Sequence, residues 1–213
     1  SLSRSGIATA ALGLAIATMI GVTLMVSSFR LNVSNWLKQT LIADIYISMP
    51  NVISSQATPG NISPAIVESL KAIPGIKKVG TNRTMHLQTT KGEISNIALN
   101  LSQEHFKRYR FKDTRVEEAW SKFAEQNAVI ISEPLANKKG LSIGDTITFQ
   151  HEDGEITLPV GGTYYDYSSE RGHTTMHATT YAKYWRDPNF TALAAYLKDG
   201  TSTQEVIKHI QAA

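Results

Sequence analysis

At 213 residues the chain exceeds one average domain, and it carries 21 basic against 18 acidic residues, a net charge of +3. Three of the basic residues, Arg4, Arg30 and Lys38, precede the first acid, Asp44, so the body from residue 42 onward holds 18 of each sign. A charge-balanced body has no global field to steer a polyanion, which argues against nucleic acid as a partner. The absence of Cys excludes disulfides, thiolate catalysis and thiolate zinc sites.

The first element is the apolar stretch from Ile7 to Phe29, with no charged residue between Arg4 and Arg30. A bilayer core is roughly 30 Å thick, so about 20 apolar residues at 1.5 Å each suffice to cross it. A secretory signal has a shorter apolar core ending at a small-x-small site, and Val26-Ser-Ser-Phe-Arg30 is a poor one. A retained membrane helix over residues 1–30 is therefore expected. Thr9, Gly13, Ala17 and Gly21 recur every fourth residue and share one face. Small residues at that spacing let helices approach closely in lipid, so this face is read as a packing surface for other helices.

Residues 31–43 read as a helical extension, with Trp36 at headgroup level. Asp44 to Ser48 reads as a first strand stopped at Pro50, followed by a Ser-, Asn-, Pro- and Gly-rich loop. Ser63-Pro64 opens a short helix with Ile66, Val67, Leu70 and Ile73 on its apolar face. Ile76–Thr90 and Ile94–Leu101 form two strands joined at Lys91-Gly92-Glu93. A helical turn from Ser102, a helix over Val116–Ala124, a strand over Ala128–Ser132 and a helix from Ser132 to Gly140 follow. Asp145–Gln150 and Glu155–Val160 make a second hairpin around Asp153-Gly154. Thr174–Ala178 as strand, Thr179–Trp185 as helix, Leu193–Leu197 as strand and Ser202–Gln211 as helix complete the chain. The order points to an α+β fold of split βαβ type. Its first lobe covers residues 44–104 and 189–213, interrupted by a β-rich lobe at 105–188.

Four segments carry candidate chemistry. Gly140-Leu-Ser-Ile-Gly144 matches the G-x-S-x-G string of a nucleophile elbow, but the elbow needs a strand before the Ser and a helix after it. Here the order is reversed, so Gly140 is read as a helix C-cap. His173 and His177, with Asp166 and Glu170 nearby, have a spacing that can hold zinc, although no H-E-x-x-H string occurs. Hydrogen-bonding or surface histidines are the competing account. Phe106-Lys-Arg-Tyr-Arg-Phe-Lys112 interleaves rings with cations, which fits a single-stranded nucleic-acid site, a membrane-surface patch or a solvated edge strand with its rings turned inward. Tyr164-Tyr-Asp-Tyr-Ser-Ser-Glu-Arg-Gly172 reads as a corner or contact loop. In it Asp166 and Arg171 pair across a turn closed by Gly172, with Tyr165 or Tyr167 beneath. No phosphate-cradling G-x-x-x-x-G-K-S/T string is present.

Residues 4–48 (RSGIATAALGLAIATMIGVTLMVSSFRLNVSNWLKQTLIADIYIS) resemble the opening of an FtsX/MacB-like ABC transporter permease. VIISEPLANKKGLSIGDTITF (129–149) with the hairpin after it, and TYYDYSSERG (163–172), resemble that family's extracytoplasmic domain. The resemblance implies a first transmembrane helix, a two-lobed extracytoplasmic domain with a porter-like and an inserted lobe, and three further helices beyond this piece. It implies no catalytic residue and no cofactor or metal in this chain, with ATP hydrolysed on a separate cytoplasmic domain or subunit. The partners it implies are the membrane, the remaining permease helices, the ATPase subunit and a second copy or second module. The location it implies is the bacterial inner membrane, with residues from about 31 onward on the periplasmic side.

The expected function is therefore the relay of ATP-driven motion across the membrane, for export, lipid or lipoprotein handling, or activation of a partner. Two alternatives stay open at this point: a singly anchored extracytoplasmic sensor or binding domain, and a membrane-anchored hydrolase using His173, His177 and Asp166.

Overall fold

The structure, a computed structural model, describes residues 2–40, 43–48, 60–166 and 168–212. It falls into two units, Ser1–Ile42 and Ala43–Ala213. The first is the helix α1 (Leu2–Thr40), unbroken over 39 residues. Its apolar part runs from Ser5 to Ser34, 30 residues, or about 45 Å at 1.5 Å per residue. Every backbone polar group of a spanning segment must find a partner inside it, which a helix provides. The hydroxyls of Thr9, Thr18 and Thr23 return to the carbonyls of Ser5, Leu14 and Met19 at 2.7–2.9 Å, so these polar side chains also are satisfied within the helix. The Trp36 expectation falls on side chains outside those described.

The second unit is a mixed α+β sheet domain. Its strands are β1 (Ile45–Ser48), β2 (Ile76–Leu87), β3 (Ile94–Leu99), β4 (Val129–Ser132), β5 (Thr146–His151), β6 (Gly154–Tyr164), β7 (His173–His177) and β8 (Ala192–Leu197). They lie in the order β1-β8-β2-β3-β7-β4-β6-β5. β8 is antiparallel to both β1 and β2, so those two run parallel and the helix α2 (Pro64–Lys71) connects them as a split βαβ unit. Ser63 caps α2, its Oγ accepting the Ala65 N–H at 3.1 Å, with Pro64 in the first turn as the sequence suggests. β3 joins β7 in parallel, and this pairing carries one sheet from the split βαβ unit into residues 105–188.

Beyond β5 the sheet curls back on itself. Thr89 bridges Phe149, the Gln150 N–H reaches the Gln88 carbonyl at 2.8 Å, and the Thr90 N–H reaches Thr148 at 3.2 Å. Residues 88–90, expected as the end of a hairpin strand, thus cover the β5 edge. An edge left open would present unpaired backbone groups.

Alternation along the strands assigns the cores. Ile130 and Ile131 are neighbours on β4 and point to opposite faces. Ile131 packs with Met85, Phe149, Met176 and Trp185, beside α5 (Glu133–Lys139) and α6 (Ala178–Tyr184). Ile130 packs with Phe106, Phe123 and Tyr164, beside α3 (Gln103–Phe106) and α4 (Val116–Glu125). A third cluster, with Leu70, Val79, Leu193, Ala195 and Val206, fills the space under α2 and α7 (Thr203–Ala212).

Candidate functional site

On α1 the residues Thr9, Gly13, Ala17 and Gly21 are all exposed, and a Cβ built on Gly13 or Gly21 meets nothing within 4 Å. The helix therefore presents a strip of bare backbone along one side.

The corner between β6 and β7 is more elaborate. β4 lies between these two strands, so the connecting chain must cross its C-terminal end, where Ser132 precedes α5. Tyr164, 2% exposed, closes β6 opposite Ser132. Its hydroxyl lies 2.7 Å from His173 Nε2 and 2.9 Å from Thr175 Oγ1. Asp166 Oδ2 is 3.4 Å from the same imidazole nitrogen, and Oδ1 accepts the Ser168 N–H at 2.8 Å. The His173 backbone N–H donates to Ser132 Oγ at 2.9 Å. With a proton on Nε2 the ring donates towards Asp166 and the Tyr164 oxygen, leaving the tyrosine proton for Thr175.

The electrostatics agree with this arrangement. Burial pushes the Asp166 carboxyl up, but the His173 bond and the Ser168 N–H outweigh it and hold the group below the ordinary carboxylate value. Burial raises the Tyr164 and Tyr109 phenols, and the Asp166 charge adds to both. Truncating the hydroxyl in Tyr164→Phe strands the buried His173 and Thr175 groups. The expected cost is about 1–2 kcal/mol, read as a fall in the denaturation midpoint with secondary structure unchanged.

Gly172 makes the corner possible. Its φ is +68°, and a Cβ there would sit 2.4 Å from the Leu135 nitrogen and 2.6 Å from Ser132 Oγ. The Gly172 N–H closes the turn on the Ser169 carbonyl at 3.0 Å. The expected Asp166–Arg171 pair does not form: the turn leaves Arg171 exposed, with no ion pair among the described residues, and Asp166 meets His173 instead. Tyr165 does not pack beneath the turn either. It is exposed, with Arg110 over its ring at 5.9 Å. Tyr167 lies outside the described residues. The ring that backs the corner is Tyr109, edge-on to Tyr164 at 5.0 Å, which local spacing had no means of revealing.

His177 sits at the other end of β7. Its Nδ1 caps α6 by accepting the Thr179 N–H at 3.3 Å, and its ring stands edge-on to Phe123 and Trp120. Four residue steps along β7 separate the two imidazoles by about 13 Å, so His173, His177 and Asp166 do not converge on a point. Among the described residues no three His, Asp or Glu side chains gather as metal ligands. Gly140 caps α5 with φ +59°, and the Ser142 N–H donates to Asp145 Oδ2 at 2.8 Å in the turn into β5, the opposite of an elbow.

The basic run is not an edge strand. Phe106 ends α3, and only Phe111 forms a bridge, to Tyr164. Phe106, Tyr109 and Phe111 do turn inward onto Phe123 and Tyr164, while Lys112 Nζ pairs with Glu133 at 2.7 Å.

A second charged pair ties the split βαβ unit to the returning chain. Arg83 on β2 meets Asp187 at 2.5 Å, with side chains 15% and 27% exposed. Arg83 also donates to Asn61 Oδ1 at 2.9 Å, and the Tyr181 hydroxyl donates to Asp187 at 3.1 Å.

The described residues thus combine a long apolar helix with an α+β sheet domain that contains a split βαβ unit. The MacB-like periplasmic core domain family matches residues 5–213. The chain belongs to that family, and so to the FtsX/MacB-like ABC transporter permeases. It is 31% identical over its whole length to an uncharacterized ABC transporter permease protein of Mycobacterium tuberculosis, of which it spans 25%. The periplasmic region of MacB from Actinobacillus actinomycetemcomitans superposes with a TM-score of 0.56. There the identity is 11%, over 78% of this chain and 79% of that one. The extracellular domain of the noncanonic ABC-type transporter YknZ from Gram-positive bacteria gives 0.52 at 15% identity, over 76% and 86%. At such identities these two likenesses concern the fold.

Proposed function

We propose that this chain is the first membrane helix and extracytoplasmic domain of a bacterial inner-membrane permease module. In this reading it transmits motion driven by ATP hydrolysis on a separate cytoplasmic subunit. The observation that carries it is α1, continuous from Leu2 to Thr40 through the apolar segment and past its end. An unbroken helix moves as a rigid body, so displacement at its cytoplasmic end has an outlet at the other. The face of Thr9, Gly13, Ala17 and Gly21 would seat α1 against the remaining permease helices or a second module. The domain at residues 44–213 would then act on an exported molecule, a lipid or lipoprotein, or a partner protein. ATP binds elsewhere, and no group in this chain is assigned to chemistry.

The test uses the assembled transporter in lipid. Gly13→Ile places a branched side chain on the packing strip, and ATP hydrolysis coupled to the permease is expected to fall about fivefold. Val22→Ile, on the opposite side of the helix, leaves it unchanged. Equal rates in both variants would contradict the reading.

A further inference from the structure

The helices on one face of the sheet leave a gap. α2 packs on β2, whereas α6 packs on β3 and β7. Between them opens a cleft of about 400 Å³, floored by Thr81, Ala98 and Asn100, with Val67 on one wall and Ala182 and Phe190 on the other. Ligand sites typically measure roughly 300–1,000 Å³ and combine apolar lining with a few polar groups.

The charges at this cleft are closed pairs. Arg83 is held by Asp187 at 2.5 Å and Lys71 by Glu68 at 2.7 Å, so the lining carries no net charge. Arg83 Nε has no hydrogen-bond partner among the described residues but is shut off from solvent, and the accessible polar groups that remain are neutral. The Asn100 amide and the Thr81 hydroxyl make no side-chain hydrogen bond among the described residues. They lie side by side, Thr81 on β2 and Asn100 just past the end of β3, where the Asn100 N–H reaches the Thr81 carbonyl at 3.3 Å. A carboxamide offers a donor and an acceptor together, the complement of a peptide unit. We propose that this cleft binds an uncharged, amide-bearing ligand with a small apolar group, the amide on Asn100 and Thr81 and the apolar group against Ala98, Val67 and Phe190. A charged ligand would have to break the largely buried Arg83–Asp187 pair or enter unpaired, which costs affinity.

The test is calorimetric titration of the full chain in lipid nanodiscs with N-acetyl-leucine methylamide. Saturable binding in the millimolar range is expected, weakened about fivefold or more in N-acetyl-leucine, its anion, and in leucine methylamide, its cation. Ala182 is exposed on α6, so Ala182→Trp fills the cleft from outside the core and should weaken binding about tenfold. Asn100→Leu, also at an exposed position, should cost about fivefold and decides the matter if the tryptophan variant misfolds. No saturation by the unaltered chain, tighter binding of either charged analogue, or equal affinity in the variants would overturn the proposal.

Discussion

Gly172→Ala is expected to lower the stability of the extracytoplasmic domain by about 3 kcal/mol. Two terms add. An L-residue at φ +68° carries about 1–2 kcal/mol of backbone strain. Forcing a methyl group against a packed neighbour costs about 1–3 kcal/mol, and here the neighbour is the backbone nitrogen of Leu135, 2.4 Å away. Neither the start of α5 nor the first residue of β7 is free to retreat, because the His173 N–H is bonded to Ser132 Oγ. For a domain of this size the melting temperature should drop by about 6–12 °C. Gly140→Ala is the control: its φ is +59°, yet nothing lies within 4 Å of the added carbon. It should show only the backbone part, about 1 kcal/mol. Equal losses in the two variants would mean that the close approach at Ser132 and Leu135 is not what demands glycine.

Arg83→Ala is expected to cost about 2–3 kcal/mol, the penalty of leaving one member of a largely buried pair behind. Asp187 would keep the Tyr181 hydroxyl and the Asn189 N–H, at 3.1 and 3.0 Å, so it would not be left wholly unpartnered. Acid titration gives a second signature. Burial raises the Asp187 carboxyl, but the Asn189 N–H, the Arg83 charge and the Tyr181 hydroxyl outweigh it and hold it below the ordinary value. A carboxylate depressed in the folded state contributes stability that is present above about pH 4 and lost as pH falls through the folded value. The unaltered chain should therefore lose stability on descending from about pH 4. In Arg83→Ala that acid-side slope should be shallower, with the remainder carried by the Asn189 and Tyr181 bonds of Asp187 itself, by Asp166 through His173 and Ser168, and by Glu118 through Arg115. An unchanged slope would show that the Arg83 charge does not set the Asp187 equilibrium.

Much of the fold was legible because local chemistry marks its boundaries. Ser63-Pro64, Gly140 and Asp153-Gly154 fall where the structure caps α2, ends α5 and turns between β5 and β6. The apolar α1 was readable from composition alone. What was not legible is set by distant pairings. Nothing near residues 192–197 states that β8 inserts between β1 and β2, and nothing near Thr89 states that it bridges Phe149. The corner shows the same limit at the scale of one side chain. The short sequence interval made Arg171 the natural partner for Asp166, but the crossing over β4 brings His173 to it and carries Arg171 to the surface. Tyr109, some fifty residues earlier in the chain, reaches the corner only through the core shared by α3, α4 and β6.

To relay motion across a membrane, residues from β1 onward must stand outside the cytoplasm on an anchored helix. The chain has no cysteine, so one introduced thiol reports without background. Asp153, 77% exposed at the β5–β6 turn, is a suitable place. In intact cells or spheroplasts, Asp153→Cys should react with a membrane-impermeant maleimide and remain with the membrane fraction after washing at high salt. Labelling only after the membrane is permeabilised, or release of the chain by the salt wash, would contradict it.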